Sequence, residues 1–133
     1  MTFSIVAVDE ATGACGSAVA SRSTAVGGTV MFSKLGVGVI NTQHHAHLAL
    51  GTRVLDDMDE GRAPHEALER VLGEDDDADE RQFLAIDVNG RQGAWTGRAC
   101  AELYSHQFGD RCVAAGNFLA SRQVITSMVE AFE

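Results

Sequence analysis

The polarity of this chain changes period three times along its length, and that order restricts the folds open to it. Residues 2–8 alternate as a strand, residues 9–13 read as a turn, and residues 14–21 return as a strand of small side chains, so the N-terminus is a β-hairpin. After the pair Gly27-Gly28, residues 29–33 and 35–42 are short and rich in β-branched side chains, predicting strands three and four. From about Ala46 the period becomes helical. Leu48, Leu55 and Met58 fall near one helical face, Gly61 supplies a stop, and Pro64 opens a second helix through Leu72. A second strand block follows at residues 82–88 and 91–96, joined by Asn89-Gly90, the strongest hairpin signal in the chain. Alternation continues less clearly over 101–108 and 111–115, with Gly109-Asp110 as a turn. The last segment, 119–132, carries Val124, Ile125, Met128, Val129 and Phe132 at helical spacing. Strands, two helices, strands and a helix predict a layered α+β domain spanning 1–133, without internal repeats.

Charge narrows the partners. Nineteen acidic residues against nine arginines and one lysine, Lys34, give a net charge of −9, a surface that repels nucleic acid. Acid excess with almost no lysine also fits a salt-rich cytoplasm, so a halophilic source is expected. The run from Glu74 to Glu80 reads as a solvated loop, because a calcium site needs Gly and alternating ligands. No apolar run is long enough to span a bilayer and no secretory signal opens the chain, which predicts a soluble, cytoplasmic protein. Cys15, Cys100 and Cys112 are too widely spaced for a disulfide framework or a C-x-x-C site and read as reduced, mostly buried residues.

Several residues could carry chemistry. Thr2 stands one removable methionine from the N-terminus at the mouth of a strand; a free α-amine beside its hydroxyl would act as general base, although a first polar residue of an edge strand looks the same. Lys34 is the one cation with a tunable pKa in a chain that otherwise uses arginine; near Thr2 it would favour the deprotonated hydroxyl, and otherwise it is an exposed strand-end residue. His44, His45 and His47 invite a zinc reading. Against it, His44 and His45 would point to opposite sides of an extended chain and no nearby residue completes a tetrahedral set, so a polar rim is expected and no metal. His65 and His106 are isolated and read as exposed or capping. Gly116-Asn117 precedes the last helix, where Asn117 suits an N-cap and the helix N-terminus could hold a carboxylate or oxyanion. Trp95-Thr96-Gly97 reads as a strand end with a core aromatic, or as pocket wall.

Taken together, residues 2–8, the stretch from Gly16 to Gly27, Lys34 and Gly36-Val37-Gly38-Val39-Ile40-Asn41 resemble the N-terminal-nucleophile (Ntn) hydrolases, the superfamily of the proteasome β-subunits. The resemblance implies a nucleophile on the first strand, a Ser-Arg-x-Thr-like loop beside it and a lysine that lowers its pKa, which fall on Thr2, Ser21-Arg22-Ser23-Thr24 and Lys34. Ala20 stands where proteasome subunits carry an aspartate, leaving the lysine without its usual partner.

A closer resemblance is to the family known as the domain of unknown function numbered 1028. It is carried by residues 1–21, by Gly36-Val37-Gly38 leading to Thr42-Gln43, by Thr96-Gly97-Arg98-Ala99-Cys100 and by Gly116-Asn117-Phe118-Leu119-Ala120. It implies an Ntn-like αββα sandwich and hydrolysis of a small amide. Thr2 and Lys34 would be catalytic, with Ser21, Arg22, Ser23, Gln43, His44 and Asn117 around the substrate and no cofactor. Members of the family usually continue past the position of Glu133, which implies an N-terminal portion and a homo-oligomer or companion chain to cover it; a natural end, a truncation and a cleavage point look alike from these residues. After Gln43, where the family often has Asn-Pro, this chain has His44-His45-Ala46-His47. Two other readings stand beside the hydrolase: a catalytically silent binding or assembly protein with the same fold, and a histidine-rich metal-binding protein. A free Thr2 amine, an intact Met1, or stoichiometric zinc or nickel would separate the three.

Overall fold

The structure, a computed structural model, describes residues 1–100 and 103–133. β1 (Thr2–Asp9) turns into β2 (Ala14–Ser21) with Thr2 opposite Ser21 and Asp9 opposite Ala14. The turn is held by its own chemistry: the Asp9 carboxylate accepts from the Ala11 amide at 3.1 Å and the Thr12 hydroxyl at 2.6 Å, and Gly13 takes a φ of +68°. β8 (Cys112–Asn117) lies along the other side of β1, with β7 (Ser105–Gly109) beyond it, giving the sheet order β2-β1-β8-β7. A second sheet has the order β3-β4-β5-β6, from β3 (Met31–Lys34), β4 (Gly38–His44), β5 (Arg81–Asp87) and β6 (Gln92–Thr96). Neighbouring strands in both sheets are antiparallel. Four helices complete the described residues: α1 (Gly27–Val30), α2 (Leu48–Asp59), α3 (Pro64–Leu72) and α4 (Gln123–Phe132).

Alternation sorts the strand residues into layers. Val6 and Val8 of β1, Val39 of β4, Leu84 and Ile86 of β5, and Val113 and Ala115 of β8 meet between the sheets. Their neighbours face outward: Ile40, Phe83 and Ala85 pack under α2 and α3, while Cys112 and Ala114 pack under Ile125 and Val129 of α4. The fold is therefore mixed α+β, with the two sheets face to face and helices on both outer surfaces. Close approach of α3 to β6 needs Gly93, since a Cβ there would lie 2.6 Å from the His65 amide nitrogen.

Several expectations change. Residues 29–33 do not form one strand, because the Gly27-Gly28 segment closes a short helical turn before β3 begins at Met31. Leu35 is 103% exposed in the turn between β3 and β4, so an apolar residue read as strand is a loop residue. Leu48 is exposed as the first residue of α2, although it is one heptad before the buried Leu55. The strand expected over 101–108 begins at Ser105, and its first two positions lie outside the described residues. Asn89-Gly90 does mark a hairpin, with Gly90 at φ +80° and the Asp87 carboxylate accepting from the amides of Asn89 at 3.0 Å and Arg91 at 2.8 Å. The acidic run is more than a solvated loop: Asp75 is nearly buried against Arg81, whose Nε donates to it at 2.8 Å. Cys100 and Cys112 are buried and Cys15 is half-buried, and burial pushes all three thiols up, away from thiolate chemistry.

Candidate active site

The layer between the sheets is apolar at one end and polar at the other. The inward-facing positions that carry valine, leucine and isoleucine further along carry Ser4 on β1, Gln43 on β4, Gln82 on β5 and Asn117 on β8 at this end, all buried. They form one hydrogen-bonded chain. The Ser4 hydroxyl donates to Gln43 Oε1 at 2.8 Å, Gln43 Nε2 donates to Gln82 Oε1 at 2.8 Å, and Asn117 Nδ2 donates to the same oxygen at 3.0 Å. Gln82 Nε2 in turn donates to the Gly116 carbonyl at 3.1 Å and to Thr96 Oγ1 at 3.2 Å. Satisfied in this way, four polar side chains stay buried without the penalty of unpaired groups, and they fix the two sheets in register at this end.

Thr2 sits at the open end of this chain. It is the first residue of β1, paired with Ser21 on one side and Asn117 on the other, so Ser21, Thr2 and Asn117 form a single cross-strand row. Thr2 Oγ1 lies 3.0 Å from Ser21 Oγ; Ser21 Oγ also donates to the Met1 carbonyl at 3.3 Å and accepts from the Ser23 amide at 3.1 Å. A hollow of about 200 Å³ opens here, lined by this row with Met1, Arg22, Ser23, His44, His45 and Phe118.

The histidines do not follow the alternation expected of them. His44 takes a φ of +66°, which breaks the extended geometry and stacks its ring on that of His45, centroids 4.8 Å apart and 17° from parallel. Among the described residues it also meets Phe118, with ring centroids at 5.8 Å, and the Glu80 carbonyl, 2.7 Å from Nδ1. His45 pairs with the Glu80 carboxylate, and its carbonyl accepts from Arg81 Nη1 at 2.8 Å, which ties the acidic loop to the rim. His47 points elsewhere, its ring accepting from the Leu50 amide as the N-cap of α2. Among the described residues no group of three His, Cys, Asp or Glu side chains is placed to hold a metal ion.

Of the residues read from sequence, Thr2, Ser21, Arg22, Ser23, His44 and Asn117 meet at this hollow, and Gln43 lies beneath it. Lys34 does not. It sits at the end of β3 opposite Gly38, six residues from His44 along β4, which at ~3.4 Å per residue puts it ~20 Å from the rim. There its Nζ donates to Asp56 Oδ1 at 2.8 Å and lies 2.9 Å from Asp59 Oδ2. Those carboxylates raise its pKa, so it keeps its proton beside α2, and it borders a different hollow of about 300 Å³. Asn117 is not a helix cap: it ends β8, and α4 starts only at Gln123, so no helix N-terminus faces Thr2 from this segment. Ser4, Gln82 and Phe118 are the members that sequence reading missed. For Gln82 a signal existed, since it is the polar residue on the row of β5 that continues as Leu84 and Ile86.

A family model described as a family of unknown function (DUF1028) matches residues 2–133. Among solved structures, the chain is similar to a protein from Silicibacter pomeroyi whose crystal structure carries the same family description, with 34% identity and a TM-score of 0.95. The match covers 98% of this chain and 61% of that one, so the chain spans about three fifths of that relative's length. No curated protein matches it.

Proposed function

We propose, starting from the finding that the chain belongs to the DUF1028 family, that it is an amide-bond hydrolase of the Ntn type with Thr2 as its nucleophile. The observation that carries this reading is the cross-strand row, in which the Thr2 hydroxyl faces a polar hollow between Ser21 and Asn117. Face-to-face sheets with helices outside support the superfamily assignment.

The chemistry requires that Met1 be removed. The freed Thr2 amine takes the proton of Oγ1 as that oxygen attacks the amide carbon, and it passes the proton to the leaving nitrogen as the C–N bond breaks. An ester between the acyl group and Thr2 Oγ1 remains. Water, deprotonated by the same amine, attacks the ester, releases the acid and returns the proton to Oγ1. Ser21 Oγ, at 3.0 Å, orients the nucleophile. Asn117 Nδ2 has two N–H groups and gives one to Gln82, leaving the other for the oxyanion. Lys34 has no part in this scheme, and positive charge near the reaction comes from Arg22. That substitution of parts also favours a second reading, a silent binding module that keeps the fold without the lysine.

The test is intact mass followed by a panel of small amides. Loss of Met1 and turnover abolished by Thr2→Ala, with the circular dichroism spectrum unchanged, support the hydrolase; full retention of Met1, or turnover undiminished in Thr2→Ala, refutes it.

A further inference from the structure

The hollow at Thr2 is lined by a guanidinium, Arg22, in a chain whose net charge is negative. Nineteen acidic residues contribute to the net −9, yet among the described residues no acidic side chain lines this hollow, whereas Arg22, His44 and His45 do. Glu80, a carboxylate at the rim, is paired with the His45 ring. Arg22 stands apart from most arginines of the chain: Arg53, Arg62, Arg70, Arg81, Arg91 and Arg111 each hold a carboxylate, and Arg22 holds none among the described residues. An exposed guanidinium with its planar fork unspent, fixed between Ser21 and Ser23 in the loop whose serine touches Thr2 Oγ1, is built to take a carboxylate in two parallel hydrogen bonds.

We infer that the group bound at this site is a small amide bearing a free carboxylate near its amide carbon, with Arg22 as the residue that recognises that carboxylate. The reaction part rests on the hydrolase reading above; the binding part does not. Size supports a small molecule, because about 200 Å³ holds roughly seven waters at about 30 Å³ each. The stacked His44 and Phe118 rings give the hollow one flat wall for the uncharged part of the ligand. Repulsion from the rest of the acidic surface is screened beyond about 10 Å at 0.1 M salt, so the contact with Arg22 decides.

The experiment uses three probes: N-acetylglycine, its neutral counterpart N-acetylglycinamide, and N-acetylpentaglycine, which carries the same carboxylate on a longer chain. Each is titrated by NMR into wild-type protein, Thr2→Ala and Arg22→Met, the last safe for folding because Arg22 is exposed. N-acetylglycine is expected to shift the resonances of Ser21, Arg22 and Asn117 in both wild type and Thr2→Ala, and to bind at least about tenfold more weakly to Arg22→Met, as for one lost charge-assisted contact. Equal affinity of the acid and the neutral amide, or equal binding by Arg22→Met, overturns the inference while leaving the hydrolase reading standing. Carboxylate binding through Arg22 with no turnover of any amide upholds the inference and removes the hydrolase. Comparable binding of N-acetylpentaglycine assigns the site to peptide C-termini and overturns the small-molecule limit.

Discussion

Replacing Gln82 with leucine removes the side chain that joins the polar end of the sandwich while nearly keeping its volume, so the change isolates hydrogen bonding from packing. Gln82 is fully buried, as are Gln43 and Asn117 to within 1%. Its Oε1 is the acceptor for both Gln43 Nε2 and Asn117 Nδ2, and leucine removes that acceptor from both donors. Each buried donor left without a partner costs about 1–3 kcal/mol, which sums to about 2–6 kcal/mol. For a domain whose whole stability is about 5–15 kcal/mol, that is a large fraction. The assay is urea unfolding at neutral pH, read as a fall in midpoint with an unchanged m-value. Gln43→Leu supplies a second arm: it orphans the Ser4 hydroxyl but leaves Asn117 its acceptor. The double variant therefore contains one orphaned donor fewer than the sum of the singles, and its cost should fall short of additivity by about 1–3 kcal/mol. A loss below about 1 kcal/mol for Gln82→Leu at constant m, or strict additivity in the double variant, would mean that these groups find other partners and that the network does not organise this end of the fold.

Lys34→Met should leave both the melting temperature and any amide turnover close to those of wild type, since the exposed pairs with Asp56 and Asp59 are remote from Thr2; a loss of turnover in purified, folded variant would restore the lysine to the mechanism. Asp75 has its pKa lowered from 3.8, first by the hydrogen bond from Arg81, so its stabilising contribution is complete above the unfolded value and is lost as pH falls through the lower folded one. Asp75→Asn should accordingly flatten the acid limb of the stability–pH curve, and superimposable acid limbs for variant and wild type would refute that. The outer face of the first sheet leaves an apolar hollow of about 140 Å³ among Phe3, Ile5, Ala18, Ala20 and Met128, and a homo-oligomer or companion chain is expected to cover it. Sedimentation velocity in molar salt checks this, and a monodisperse monomer across the accessible concentration range would count against it.

Elements with a clear local signature were legible in the residues. Pro64 at the first position of α3, the small alternating residues of β2, and Gly90 in the β5–β6 turn each dictate their conformation without help from the rest of the chain. Segment 27–34 was not, because a four-residue helical turn is too short to show a period and its Thr29 and Val30 carry strand propensity. The expected cap at Asn117 failed because β8 extends through that residue and α4 starts only at Gln123, while its amide nitrogen meets Gln82, a residue distant in sequence that only sheet packing brings near. Most of the site residues could be read from the Ser21-Arg22-Ser23 loop and from the resemblance. The arrangement of the histidines could not, since the left-handed φ of His44 turns the two rings to the same side and nothing local to an Asn-Thr-Gln-His-His string demands it.

β1 lies between a strand made directly after it and one made much later, and this places the trimming of Met1 in time. A ribosome releases the partners of the first hairpin early, but β8 emerges only about ninety residues later, and pairings between sequence-distant segments form slowly. Until then residues 1 and 2 project from a two-stranded hairpin, marginal on its own, where an aminopeptidase reaches the first peptide bond. Once β8 docks, Thr2 is paired on both flanks and the Met1 carbonyl is held by Ser21. At about 5–20 residues per second the interval between the two strands lasts on the order of ten seconds. For the proposed nucleophile that interval is the window of maturation, and slowing it, through rare codons ahead of β8, should raise the fraction of chains that begin at Thr2, as intact mass would record.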